Sequence, residues 1–203
     1  MKKALLFVLA LVLAPSAAIA AKFEEGKHYK VINEKATAKK ELVEFFSFYC
    51  PHCFKFEPTF NDIKSKLNKD IKVRKAHVTF ISWVDKEIQE DLSRALAVAQ
   101  GLKVEEKIIP AIFNHIHVKR AQFANRDDIR ELFVANGVNG MKFDMAMDSF
   151  GVSSQVKKMK KDMQTAKVSG VPYVMVNGKY QVLGGVSSAA EYAELVDYLA
   201  NKD

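Results

Sequence analysis

Glu44-Phe45-Phe46-Ser47-Phe48-Tyr49-Cys50-Pro51-His52-Cys53 decides how this chain folds. A run of aromatic residues long enough for one buried strand leads directly into Cys-x-x-Cys, and the residues after it have helical period. Phe56, Phe60, Ile63 and Leu67 are four, three and four residues apart, so they form one apolar face of a helix beginning within a turn of Cys53. The two cysteines, the only ones in the chain, therefore sit at a strand-to-helix junction. Cys50 falls at the helix N-terminus, where unpaired backbone N–H groups and the positive end of the macrodipole favour an anion, and a thiolate is the anion at hand. Cys53 lies one turn further in, close enough to bond to Cys50.

The residues between the cysteines tune the pair. His52 adds positive charge or a hydrogen bond to the Cys50 thiolate, and Pro51 suits the first helical turn and stiffens it. Both stabilise the reduced form. Lowering the thiol pKa by about 3 units corresponds to about 4 kcal/mol, or about 90 mV for a two-electron couple. Such a centre gives its disulfide away.

Outward from this stretch, Met1-Lys2-Lys3, the eleven apolar residues Ala4 to Ala14 and the small-residue end Ala18-Ile19-Ala20 read as a secretory signal peptide cleaved after Ala20. The apolar run is too short to span a bilayer. An exported chain meets an oxidising compartment, and two cysteines cannot staple a fold of this size, so their disulfide is a tool rather than a brace. Removing Lys2 and Lys3 from the formal charge of +7 leaves +5, a modest excess. Its densest part, Lys157-Lys158-Met159-Lys160-Lys161, reads as the solvated face of a helix whose apolar stripe is Val156, Met159, Met163 and Ala166. No nucleic-acid partner is expected.

In chain order, a short strand is expected over His28 to Ile32, then the central strand. Leu42, Glu44, Phe46 and Phe48 share one face of it, which puts a carboxylate among apolar neighbours. Spacing alone leaves open whether Glu44 is buried or sits at a frayed strand start in water. Pro58, inside the period of the first helix, predicts a kink. Residues 71–80 read as the next strand, with Lys75 on it. From Ser82 to Lys167 the period becomes helical: Ile88, Leu92, Ala95 and Ala99 form a stripe ended by Gly101, and Ile108, Ile109, Ile112 and Ile116 form another across Pro110. Ile129, Leu132 and Phe133 give a third helix stopping near Gly137, and helices over 141–150 and 153–167 complete the block. Strands return at Tyr173–Val176 and Lys179–Leu183 around an Asn177-Gly178 turn, the sequence of a type I′ hairpin. Ser188 with Glu191 resembles a capping box for a last helix carrying Tyr192, Leu195, Val196 and Leu199.

Cys50-Pro51-His52-Cys53 after its aromatic strand, with Gly170-Val171-Pro172 and Asn177-Gly178-Lys179-Tyr180 downstream, resembles the DsbA family of disulfide-donating oxidoreductases, over nearly the whole chain beyond the leader. The resemblance implies an α/β thioredoxin-like fold, discontinuous over 21–81 and 168–203, with an inserted all-helical domain over 82–167. It implies a buried acid at Glu44, approached by Lys75, and a cis Val171-Pro172 bond facing the Cys-x-x-Cys loop and the incoming peptide. A solvent-facing Lys75 is the alternative. The implied activity is donation of the Cys50–Cys53 disulfide to newly exported proteins with free thiols, through a Cys50 mixed disulfide. A DsbB-like, quinone-linked membrane oxidase would restore it in the periplasm of a Gram-negative bacterium. No cofactor or metal and a monomeric state are expected.

Two other readings compete. A disulfide isomerase or reductase would keep the centre reduced and, in the familiar isomerases, add a dimerisation domain for which no segment is left. A soft-metal carrier would use Cys50 and Cys53 with ligands from His28, His77, His115 or His117. His115 and His117, two apart on a predicted helix, face different ways and read as surface or boundary residues.

Overall fold

The computed structural model describes residues 22–202, so the predicted leader at 1–20 lies outside the described residues. Five strands form one mixed sheet: β1 (Tyr29–Val31), β2 (Glu41–Phe46), β3 (Lys72–His77), β4 (Tyr173–Val176) and β5 (Tyr180–Val182), in the order β1-β5-β4-β2-β3. β2 runs parallel to β3 and antiparallel to β4, which makes it an inner strand. Leu42 to Phe46 are all buried, as a strand covered on both faces requires. The β2/β3 register sets Glu44 directly beside Lys75.

Helix α1 (Pro51–Lys66) runs through Pro58 and packs with α7 (Ala189–Ala200) over a core of Leu42, Phe60, Val176, Leu195 and Leu199. Its buried residues are Cys53, Glu57, Phe60 and Ile63; Phe60 and Ile63 belong to the face expected from sequence, whose ends Phe56 and Leu67 pack half-buried against the same core. Phe56 lies with its ring 6.3 Å from that of Tyr192 on α7, and the burial extends past the expected face toward Cys53. A carboxylate, Glu57, is thereby turned inward.

Between β3 and β4 the described chain is helical: α2 (Lys86–Leu102), α3 (Glu105–Phe113), α4 (Arg126–Ala135), α5 (Gly140–Met147) and α6 (Phe150–Thr165). α2 is the hub, touching each of the other four and β3. β3 ends at His77, earlier than expected, because β2, the one strand beside it, ends opposite at Phe46; in the loop beyond, the Gln89 side chain accepts from Ile81 N–H and donates to the carbonyls of Ile81 and Val84. Gly101 does not stop α2, which ends one residue later with Lys103 in the left-handed region at φ +57°. The helix expected over 141–150 breaks at Asp148-Ser149, since Ser149 Oγ accepts from Val152 N–H and starts α6 there. On α6, Lys157, Lys158, Lys160 and Lys161 are exposed and Met159 is buried.

The hairpin forms with Asn177 at φ +51° and Gly178 at φ +66°, the signs a type I′ turn needs. Ser188 Oγ accepts from Glu191 N–H, while the Glu191 carboxylate reaches Ser187 N–H rather than that of Ser188, one residue beyond a standard capping box. No helix among the described residues is long and apolar enough to cross a membrane.

Candidate active site

After Phe46 the chain must turn from strand to helix in four residues. Cys50 N–H donates to the Ser47 carbonyl at 3.0 Å and Tyr49 N–H to Ser47 Oγ at 3.2 Å, which closes a tight turn around a buried serine. Cys50 then caps α1: its backbone is extended, Pro51 occupies the first helical position, and Cys50 Sγ accepts from Cys53 N–H at 3.1 Å. The side chain that fills the capping position is thus the reactive one. Both cysteines are free thiols, Cys53 fully buried, while Pro51 and His52 are exposed.

The two sulfurs differ sharply in acidity. The hydrogen bond from the Cys53 thiol is the largest influence holding Cys50 down to about 6; N–H groups of Cys53 and His52 and the His52 charge add to it, against the cost of burial. The same Cys53–Cys50 bond, with burial, pushes Cys53 well above the ordinary thiol range, although Ser47 N–H works the other way. One proton shared between the sulfurs therefore resides on Cys53.

Across the turn, the Val171-Pro172 bond is cis, and the Val171 carbonyl oxygen lies 3.5 Å from Cys50 Sγ, where it accepts from Cys50 when that thiol is protonated. Val171 is half-buried and Pro172 exposed, so the backbone here faces both the sulfur and solvent. Beneath, Glu44 is fully buried and Lys75 nearly so, which removes the frayed-strand and solvent-facing alternatives. Lys75 Nζ pairs with the Glu44 carboxylate and, at 2.6 Å, with Glu57 Oε2, while lying over the rings of Phe46 and Phe60. Glu44 Oε1 has no hydrogen-bond partner among the described residues. Burial raises Glu44 to about 7; Lys75 opposes this, and the charges of Glu57 and Cys50 add to it. A cavity of about 770 Å³ has Glu57 and Lys75 in its wall.

Glu57 escaped the sequence reading, yet its place four residues after Cys53 marks it as a neighbour on the same helical face. The histidines proposed as metal ligands are engaged elsewhere. His28 Nδ1 accepts from Glu24 N–H, buried His77 bonds Ser93 Oγ, His115 stacks on Phe123, and His117 bonds the Phe48 carbonyl. Among the described residues no three His, Cys, Asp or Glu side chains are grouped to hold a metal ion.

Sulfurs so unequal, one helical turn apart, favour a single chemistry: attack by an outside thiolate on one sulfur and departure of the other. On a thioredoxin-like sheet this defines the class, thiol:disulfide oxidoreductase. Residues 41–197 match the family model described as a DSBA-like thioredoxin domain. The chain is 36% identical, over an alignment 212 positions long, to the thiol:disulfide interchange protein DsbA of Escherichia coli (strain K12), and 37% to that of Pectobacterium carotovorum subsp. carotovorum, covering all of both chains in each case. It superposes on the crystal structure of the disulfide oxidoreductase DsbA from Proteus mirabilis with TM-score 0.80 at 31% identity, covering 89% of this chain and 98% of that one. A second structure of that protein, carrying the non-covalently bound peptide PWATCDS, gives TM-score 0.81 at 31% identity, over 90% and 100% of the two chains. The chain belongs to the DsbA-like thioredoxin family.

Proposed function

We propose that this protein donates its Cys50–Cys53 disulfide to thiols of newly exported polypeptides in the periplasm of a Gram-negative bacterium. The observation that carries this reading is the inequality of the two sulfurs, with Cys50 held down to about 6 and Cys53 pushed up. A substrate thiolate attacks Cys50 Sγ; the Cys50–Cys53 bond breaks as the substrate–Cys50 bond forms, and Cys53 leaves with the electron pair and takes a proton. A second substrate thiolate then attacks the substrate sulfur of the mixed disulfide. Its departing group is Cys50, the better leaving group for its low pKa. The substrate ends oxidised and both cysteines reduced.

Each remaining residue has a place in this cycle. His52 and Pro51 favour the Cys50 thiolate at the helix start. Glu44, raised to about 7, exchanges a proton near neutral pH as Cys53 reacts, with Lys75 offsetting its charge and Glu57, which shares that lysine, favouring the protonated form. Val171 and Pro172 offer backbone groups beside Cys50 with which a peptide pairs as an added strand; the Proteus mirabilis relative that holds a cysteine-containing peptide supports a peptide ligand. A DsbB-like membrane oxidase linked to quinone returns the pair to the disulfide, and residues 1–20 direct export.

The oxidised protein should convert a model dithiol peptide to its disulfide. Cys53→Ala should accumulate a mixed disulfide between Cys50 and a monothiol peptide supplied as an activated disulfide, whereas Cys50→Ala should form none. A mixed disulfide forming equally well on Cys53 in the Cys50→Ala variant would contradict the assignment.

A further inference from the structure

The helical segment between β3 and β4 holds the Cys-x-x-Cys turn from both sides, and one side chain makes two of its contacts. His117 Nε2 lies 2.8 Å from the Phe48 carbonyl oxygen. A carbonyl only accepts, so Nε2 carries the hydrogen. The ring is also stacked on Phe54, with centroids 4.9 Å apart and planes 9° from parallel. Phe48 stands two residues before Cys50, and Phe54 directly follows Cys53. A further bond, from Phe123 N–H to the Tyr49 hydroxyl at 3.4 Å, fixes the residue between.

His117 reaches this position through a local irregularity. α3 passes into a π-helical turn over Asn114–Val118, with Lys119 N–H donating to the Asn114 carbonyl at 2.9 Å. Such a wide turn takes in one residue more than an α-turn and rotates the chain beyond it relative to the preceding helix. Ile108 and Ile112 stay in the core, while His117 is delivered to the rim of the active-site turn.

We infer that His117 is a positioning residue for Cys50: it fixes the Phe48 carbonyl and the Phe54 ring, and so the placement of the Cys50 sulfur against the N–H groups of the first turn of α1. The inference rests on the donor reading only in taking Cys50 as the nucleophile. His117 acts through backbone geometry, so its replacement changes the acidity of a sulfur it does not touch.

Thiolate absorbance against pH in the reduced protein tests this with two variants. His117→Phe keeps the stack and loses the hydrogen bond, and should raise the Cys50 midpoint by about 0.5–1 pH unit, the size expected for one lost hydrogen bond. His117→Gln can still donate to the Phe48 carbonyl and should stay close to the parent. A parent midpoint retained in His117→Phe, even with a lowered Tm, would overturn the inference and leave His117 a packing residue; equal shifts in both variants would overturn it too. Should His117→Phe not fold, His117→Leu carries the same comparison. In the parent, imidazole nitrogen NMR should find Nε2 protonated in the neutral ring, and a neutral ring protonated at Nδ1 would contradict the bond. A parent midpoint near 9 would overturn the donor reading itself, which separates the two failures.

Discussion

Among single residues, His52 and Glu44 act on the cysteines from opposite sides. The charge of His52 is the last of the influences on Cys50, behind the bond from Cys53 and the two N–H groups. His52→Ala should therefore raise the thiolate midpoint by less than one unit and leave the unfolding transition in place, since the side chain is exposed. An absorbance titration of reduced protein checks this; a shift of two units or more would mean that His52, not the helix start, dominates. Glu44 works in the other direction. Its folded pKa is raised from 4.5 to about 7, so its contribution to stability is whole below the unfolded value and is lost as pH rises through about 7. The loss approaches about 3 kcal/mol at most. Glu44→Gln should remove it, making the variant more stable than the parent at pH 8 by about 1–3 kcal/mol but not at pH 4, with Lys75 still paired to Glu57. Denaturant midpoints at the two pH values decide; a variant less stable than the parent at pH 8 would show that the Glu44–Lys75 pair outweighs the burial of the charge.

At the scale of elements, chain termini of helices and the faces they bury separate what sequence tells from what it does not. Lys103 holds a left-handed conformation at the end of α2 that glycine adopts without a steric penalty. Lys103→Gly should raise stability by about 0.5–1 kcal/mol, read from the denaturant midpoint; a fall would mean that the lysine side chain contributes more than its backbone costs. The sequence placed this terminus at Gly101 because glycine is the usual stop, and nothing local announced a lysine in that role. The Asn177-Gly178 turn was legible because its requirement for two positive φ angles is written in the residues themselves. Cys50 at the start of α1 was legible for a similar reason, the proline after it fixing the first turn. Glu57 was not, since a carboxylate is read onto the solvent side of a helix and nothing local shows that the covered face widens from Phe60 and Ile63 to include it. His117 was further out of reach: Ile116 keeps to the core side as counting from Ile108 expects, but nothing in the residues announces the π-turn over Asn114–Val118 that sets His117 beside Phe48 and Phe54.

For the molecule as a whole, two effects of opposite sign decide whether the disulfide stabilises or destabilises the fold. Closing so short a loop in the unfolded chain gives the oxidised form about 2 kcal/mol on a chain-entropy estimate. Against it stands the Cys50 thiolate of the reduced form, whose pKa is lowered from 9.0 to about 6. That contribution is whole above the unfolded thiol pKa and disappears as pH falls through about 6, so it is about 1.4 kcal/mol at pH 7 and about 3 kcal/mol at pH 8.5. The reduced protein should gain on the oxidised one as pH rises and be the more stable of the two at pH 8.5. Paired denaturant curves show this, and a gap that does not move between pH 6 and 8.5 would rule out the thiolate as its source. The central claim, that this fold makes its disulfide one to be given away, is tested most directly by equilibrating the protein with glutathione at pH 7 and measuring the fraction reduced. A disulfide donor requires a midpoint potential less negative than about −200 mV, with the protein largely reduced in mixtures poised below that value; a midpoint at or below about −270 mV, where thioredoxin works as a reductant, would contradict it.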